Sequence, residues 1–398
     1  MKKSTLALAL AAVFGTVPAL GQTVDQKLQV LQQEIDDLKA QSRKQAAPAT
    51  QPSPYSLEYG TMLDRSSALA NGGTNIIGYG EMGYSKFRQS GDATADLARF
   101  VFGFNHRFDE RITLHSEIEI EHGVVSKDDQ GEAEVEQAWV NYKLSDRVNF
   151  KGGLFLIPMG ILNETHEPPT YYGVQRNQVE TRIIPTTWRE LGAGVHGVLA
   201  ESLRYDVGVT TNFDSGKLDD PLTGIRSGHQ EGQLANARDL AVYGALNYRR
   251  PGLLVGGGVF GGNTGQNGAS NPALQGVPAR FTMWDVHAQY RVAGLDLQGL
   301  YASGTLGDAD KVTAALFAAD PATAFAAPKS MKGWYAQAAY HVYKQGNFDV
   351  APFVRYERIK TVGVNFWVHP QVVLKADIQR YTTDKTQDAY RLGLGFMF

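Results

Sequence analysis

Glu164, His166 and Glu167 form one short run of side chains able to ligate a metal or move a proton. Their E-x-H-E order lacks the i, i+4 histidine pair that a zinc-protease helix presents. Pro168-Pro169 follows directly and favours a rigid turn, so no metal site is assigned and no cofactor is expected. Arg176, Glu180, Arg182 and Arg189 continue the same stretch. Elsewhere ionisable residues recur at alternate positions: Arg99 and Arg107, then Glu117, Glu119 and Glu121, then Arg147 and Lys151. There is no G-x-S-x-G elbow and no phosphate-cradling P-loop. With no cysteine, a thiolate nucleophile, a Cys-ligated metal, a disulfide and a lipid anchor on Cys all fall away. Charges repeated along one face without a nucleophile describe a lined surface better than a catalytic centre, and no enzymatic activity is expected.

The elements that position these residues read as strands. From residue 75 onward about sixteen segments alternate apolar and polar residues with period two, the mark of strands with two unlike faces. Their connections alternate in length. Tight turns fall at 109–110, 145–146, 201, 251, 293, 344–346 and 369–370, and wider connections at 157–189, 213–237, 262–279 and 304–331. One end of the sheet therefore carries turns and the other loops. That arrangement and an even strand number define the expected fold class: an all-β, transmembrane antiparallel β-barrel spanning 75–398. Counting parity from the apolar positions puts Phe108, Tyr142, Tyr248, Tyr290, Tyr340 and Phe398 on the outer face near the tight-turn end, where an aromatic girdle meets the membrane interface. The other parity carries basic and acidic residues in nearly equal number. So many charges cannot sit in a dry core unless densely paired, whereas a barrel of this size holds water.

Composition agrees. The 398 residues include 43 Gly, 18 Tyr and 18 Phe, and the formal net charge of -3 argues against nucleic acid as a partner. No run beyond the N-terminus is long enough for a membrane helix. Residues 1–21 read as a signal peptide, with Lys2 and Lys3, an apolar core and an Ala-Leu-Gly cleavage site. Val24, Leu28, Leu31, Ile35 and Leu38 then keep the 4-3 spacing of a coiled-coil seam, giving a short N-terminal helix over 22–45. A Pro-rich linker and barrel entry occupy 46–74.

The last strand ends D-A-Y-R-L-G-L-G-F-M-F, with Tyr390, Leu392, Leu394, Phe396 and Phe398 on one face. It resembles the carboxy-terminal strand of bacterial outer-membrane barrels, in which a final Phe is the assembly signal. On that resemblance Tyr390, Phe396 and Phe398 would address the barrel-assembly machinery. The connection 157–189 is too long for a passive turn, and its mix of Ile161, Leu162, Ile183, Ile184 and Trp188 with charges suits a segment folded into the barrel. The order is similar to sixteen-stranded porins, whose third loop folds inward as a constriction. With the heptads, the chain resembles the phosphate-selective porin O/P group or related dicarboxylate porins with a periplasmic coiled coil. The resemblance implies a homotrimer in outer-membrane lipid of a Gram-negative bacterium, with the stalk in the periplasm, passing small anions or other hydrophilic solutes. It also implies a constriction at Glu164, His166, Glu167, Arg176, Glu180, Arg182 and Arg189, and a lining of Arg99, Arg107, Glu117, Glu119, Glu121, Arg147 and Lys151. The near balance of charge departs from a strongly anion-selective pattern. Two other classes remain open: a barrel enzyme of lipase or protease type, and an anchor acting through its stalk.

Overall fold

The computed structural model describes residues 73–398 except Asp146, Thr323 and Ala324, together with Gln33 alone. Apart from Gln33, the expected signal peptide at 1–21 and stalk at 22–45, with nearly all of the linker at 46–74, lie outside the described residues.

Period-two patterning yields seventeen strand segments in one antiparallel sheet. They are β1 (Gly73–Phe87), β2 (Ala93–Arg107), β3 (Ile112–Glu121), β4 (Ala133–Lys143), β5 (Asn149–Leu156) and β6 (Arg189–Ala200). Next come β7 (Leu203–Thr210), β8 (Ala241–Arg250), β9 (Leu253–Asn263), β10 (Arg280–Val292), β11 (Leu295–Leu306) and β12 (Ser330–Tyr340). The last are β13 (Tyr343–Gln345), β14 (Phe348–Tyr356), β15 (Ile359–His369), β16 (Val372–Tyr381) and β17 (Ala389–Met397). Both β12 and β13 pair with β14, so they are halves of one crossing and the barrel has sixteen strands.

Each strand pairs with its chain neighbours, and β17 returns to β1 to close the ring. Closure removes the free edges that an open sheet would expose. The seam runs to the last residue, where Phe398 N–H donates to Gly78 O at 2.8 Å and Gly78 N–H to Phe398 O at 3.1 Å. The rings of Phe396 and Phe398 lie across Gly80 and Gly78; a Cβ at those glycines would stand 2.6 and 2.7 Å from the ring Cζ atoms. The tight turns fall where the sequence places them but are longer than it implies: two residues rather than one at 201–202, 251–252 and 293–294, and four and five at 108–111 and 144–148. Ala293 and Gly294 both take positive φ, the geometry that lets a two-residue hairpin follow the sheet twist.

The outward parity also holds. Phe108, Tyr142, Tyr290, Tyr340 and Phe398 are exposed on the outer wall, and Tyr248 is half-buried with the Arg250 guanidinium over its ring. The connection expected as a plain loop at 304–331 instead contains a helix, α1 (Ala309–Ala319). Its buried Val312, Ala315 and Leu316 join Trp188, Phe213, Ile225, Leu274, Phe281 and Leu306 in an apolar cluster drawn from the wide connections and nearby strands. This corrects the expectation of a uniformly wet lumen: part of the interior is a dry core built by loops.

Candidate functional site

The connection from β5 to β6, residues 157–188, turns inward and touches distant walls. Ile157, Met159, Leu162, Tyr171, Tyr172, Val179, Ile184 and Trp188 are all buried. Two of the anchors are apolar or aromatic. Tyr172 seats against Phe353 and Trp367 with Ala339, Ala351 and Val373, while Ile157, Met159, Ile184 and Trp188 pack into the large loop-built cluster. Pro168–Thr170 forms the rigid turn that the sequence implied, and Trp367 Nε1 donates to Pro169 O at 3.1 Å.

The polar anchors follow a pattern. The loop supplies donors, and wall carboxylates accept them. Gly160 N–H reaches Asp285 at 3.1 Å, Val174 N–H reaches Asp377 at 2.7 Å, and Gln178 N–H reaches Glu357 at 2.8 Å. Tyr172 O–H donates to Asp296 at 3.2 Å and Tyr171 O–H to Glu81 at 2.6 Å. In the other direction Arg355 donates to the carbonyls of Tyr172 and Gln175, and Asn365 to that of Tyr171. Backbone donors thus meet Asp285 on β10, Asp377 on β16 and Glu357 just after β14, and the Tyr172 hydroxyl meets Asp296 on β11, as buried polar groups require.

Two polar cavities flank this loop. One, of about 570 Å³, opens toward the loop end of the barrel and is lined by Arg99, Arg176, Arg182, Arg226 and Arg391, with Glu81 and Asp96 as its carboxylates. The other, of about 280 Å³, lies toward the tight-turn end between Lys151, Arg204, Arg249, Glu164 and Asp206. Lys151 Nζ is 2.5 Å from Asp206, and Arg99 bridges Glu81, Glu119 and Glu121 at 3.0, 3.0 and 3.5 Å.

The expected constriction set therefore divides. Arg176 and Arg182 face the loop-side cavity and Glu164 the turn-side one. Glu180 is fully buried instead, because its carboxylate holds the loop together by accepting from Ile161 N, Leu162 N, Asn177 and Tyr335. Arg189 begins β6 and is buried in ion pairs with Glu134 and Glu231. His166 and Glu167 are also buried; His166 points at the barrel wall, where Glu136 and Tyr79 meet it. Burial disfavours a charged His166, but the Glu136 carboxylate outweighs it and raises the imidazole pKa.

The expected lining divides as well. Arg99 and Lys151 face cavities and Glu121 pairs with Arg99. Glu117 and Glu119 are covered rather than exposed to the path. Arg107 ends β2 and lines neither cavity, and Arg147 lies exposed in the turn before β5. Arg226 escaped sequence reading because it comes from the connection between β7 and β8, which has no periodicity to place it. Nearby His229 stacks on Phe213 at 5.0 Å. Burial, with Arg226 adding to it, pushes its pKa down to about 4 against the pull of Glu231.

A closed sixteen-strand antiparallel barrel with an inward loop and polar cavities on both sides of it is a porin-like fold. No known family model matches the sequence. An uncharacterized protein of Aquifex aeolicus (strain VF5) is 33% identical over 357 residues, covering 82% of this chain and 80% of that one, and the chain belongs to the same family as that protein. Among solved structures, Salmonella typhi OmpF in complex with daunomycin superposes with a TM-score of 0.55 at 13% identity, over 82% of this chain and 98% of that one. A loop-deletion form of OmpT, an outer membrane protein of Vibrio cholerae, gives 0.50 at 12% identity over 82% and 100%. At such identities these likenesses concern the fold.

Proposed function

We propose that the protein is a passive, non-enzymatic diffusion channel of the Gram-negative outer membrane that favours small hydrophilic anions. The observation that carries this reading is the division of charge made by the inward loop. Wall acids Asp285, Asp296, Glu357 and Asp377 are buried and accept donors from the loop. Five arginines remain in the lining of the loop-side cavity against two carboxylates. One of those, Glu81, is already shared by Arg99 and Tyr171. The wall charges balance in sequence, but the solvent-facing remainder is basic. Guanidinium groups present forked donors that suit phosphate or a carboxylate, and a wide, wet site binds weakly enough to release its solute. Phosphate and dicarboxylates are therefore the solutes to try first. A homotrimer with its stalk in the periplasm is the assembly that the resemblance to sixteen-stranded porins implies.

The test is the reversal potential of single channels in a planar bilayer under a potassium chloride gradient. Chloride preference, reduced at least several-fold in the Arg176→Glu/Arg182→Glu double variant, is expected. A wild-type channel preferring potassium would refute anion selectivity, and a correctly folded protein without openings would refute the channel itself.

A further inference from the structure

We propose that Glu117, Glu136 and His166 bind a divalent first-row metal ion, Zn2+ foremost, that fastens the inward loop to the barrel wall. Glu117 comes from β3, Glu136 from β4 and His166 from the loop, so the three meet only in the folded barrel. One ligand atom from each lies within 4.8 Å of the others, and all three residues are buried. Ligand atoms around a tetrahedral Zn2+ stand about 3.4 Å apart, so small side-chain rotations bring these onto one ion.

Three further features suit a metal. Glu136 is entirely buried, and its Oε1 accepts no hydrogen bond although it points at His166 Nε2, 3.3 Å away. His166 meets that oxygen only in a 3.3 Å ion pair, and a metal held in place of the Nε2 proton would meet both carboxylates. The second feature is orientation. His166 Nδ1 lies 3.0 Å from Asn163 O, a carbonyl that can only accept, so Nδ1 carries a proton and Nε2 is the ring nitrogen turned to the cluster, where a metal would take the place of its proton. Asn163 is itself fixed by bonds to Ile157 O, Trp188 O and Trp188 N. Gln137 Nε2 donates to Glu117 at 2.5 Å, and Trp139 in turn holds Gln137. Such outer partners are what orient ligating side chains around an ion.

The third feature is charge. Among the described residues no lysine or arginine forms an ion pair with Glu117 or Glu136. A proton on His166 offsets one carboxylate; a divalent ion offsets both. An imidazole with two carboxylates favours a first-row metal over Mg2+ or Ca2+, which take oxygen ligands. Tyr79 O–H, 2.8 Å from His166 Nε2 and 3.1 Å from Glu136 Oε2, stands beside the fourth position. Glu164 and Glu167, the nearer carboxylates in sequence, take no part.

The experiment uses the full mature chain in detergent, stripped with a chelator and then dialysed to equilibrium with Zn2+. Co2+ serves as a second probe because its visible absorption reports coordination. About one equivalent of Zn2+ per chain is expected, with affinity falling at least tenfold in Glu136→Gln and His166→Gln and the Co2+ bands lost. Single-channel openings show that each variant is folded, and Glu117→Gln replaces either one that is not. Wild-type protein that conducts yet takes up no stoichiometric Zn2+ would overturn the proposal. So would uptake and Co2+ bands unchanged in the folded variants.

Discussion

Glu180 is the residue whose removal most directly probes how the loop is held. Its Oε1 accepts from Ile161 N at 2.5 Å and Leu162 N at 2.7 Å, and its Oε2 from Asn177 Nδ2 at 2.9 Å and Tyr335 O–H at 2.8 Å. Three of these bonds tie the loop to itself, and the fourth ties it to β12. A hydrogen bond to a charged group contributes about 1.5–3 kcal/mol, but four on one carboxylate do not add. Glu180→Ala strands four donors in a dry site, and about 4 kcal/mol of loop docking is the expected loss. That raises the undocked population by roughly three orders of magnitude. Glu180→Gln keeps one oxygen for the two backbone donors, while its amide meets Tyr335 as a donor, so its cost is about 1–2 kcal/mol. Single-channel recording should show larger and noisier openings in the order Ala, Gln, wild type, with tryptic cleavage after Arg176 and Arg182 quickening in the same order. Wild-type conductance, noise and protease resistance in Glu180→Ala would refute the view that this carboxylate holds the loop in the barrel.

Other expectations are simpler to state. Acidification should loosen the connection that carries His229. Its folded pKa of about 4 lies below the ordinary value near 6.5, so the opened form takes up a proton that the docked form excludes. Docking therefore weakens as pH falls from about 6.5 to 4, by up to about 1.4 kcal/mol per unit. Acrylamide quenching of Trp188, whose ring stacks with His229 at 6.5 Å, should rise over that window and stay flat in His229→Asn; equal curves would rule out His229. Gly80→Val should push the Phe396 ring off the seam, at a cost of about 1–3 kcal/mol. Lower recovery of the compact, heat-modifiable barrel on gels is the expected result, and undiminished recovery would show that ring packing at the seam is dispensable.

Much of the barrel was legible because its signals are local. Alternation fixes which face of a strand meets lipid, and a two-residue turn, such as Ala293-Gly294 or Glu201-Ser202, leaves the chain no choice but to reverse. Sixteen strands, the outward aromatics and the closing contact of the last residues follow from that grammar. The helix at Ala309–Ala319 was missed although its buried Ala309, Val312, Ala315 and Leu316 recur at i, i+3, i+6 and i+7; it is short, lies within a connection between strands, and packs against loops from elsewhere.

The charged residues show the opposite limit. Parity placed Glu117 and Glu119 on the inner face, and they are there, but an inward face is not a wet one. Only the inward loop decides that these acids are covered, that Arg176 and Arg182 stay in the lining, and that Arg226 joins them from a connection with no pattern of its own. His166 illustrates the reason. In sequence its neighbours are Glu164 and Glu167; in the barrel they are Glu136 and Tyr79, tens of residues away. Strand periodicity is a property of adjacent residues and can be read from a line of letters. The field inside a barrel is a sum over groups brought together by ring closure and loop insertion, and it exists only once the chain has folded.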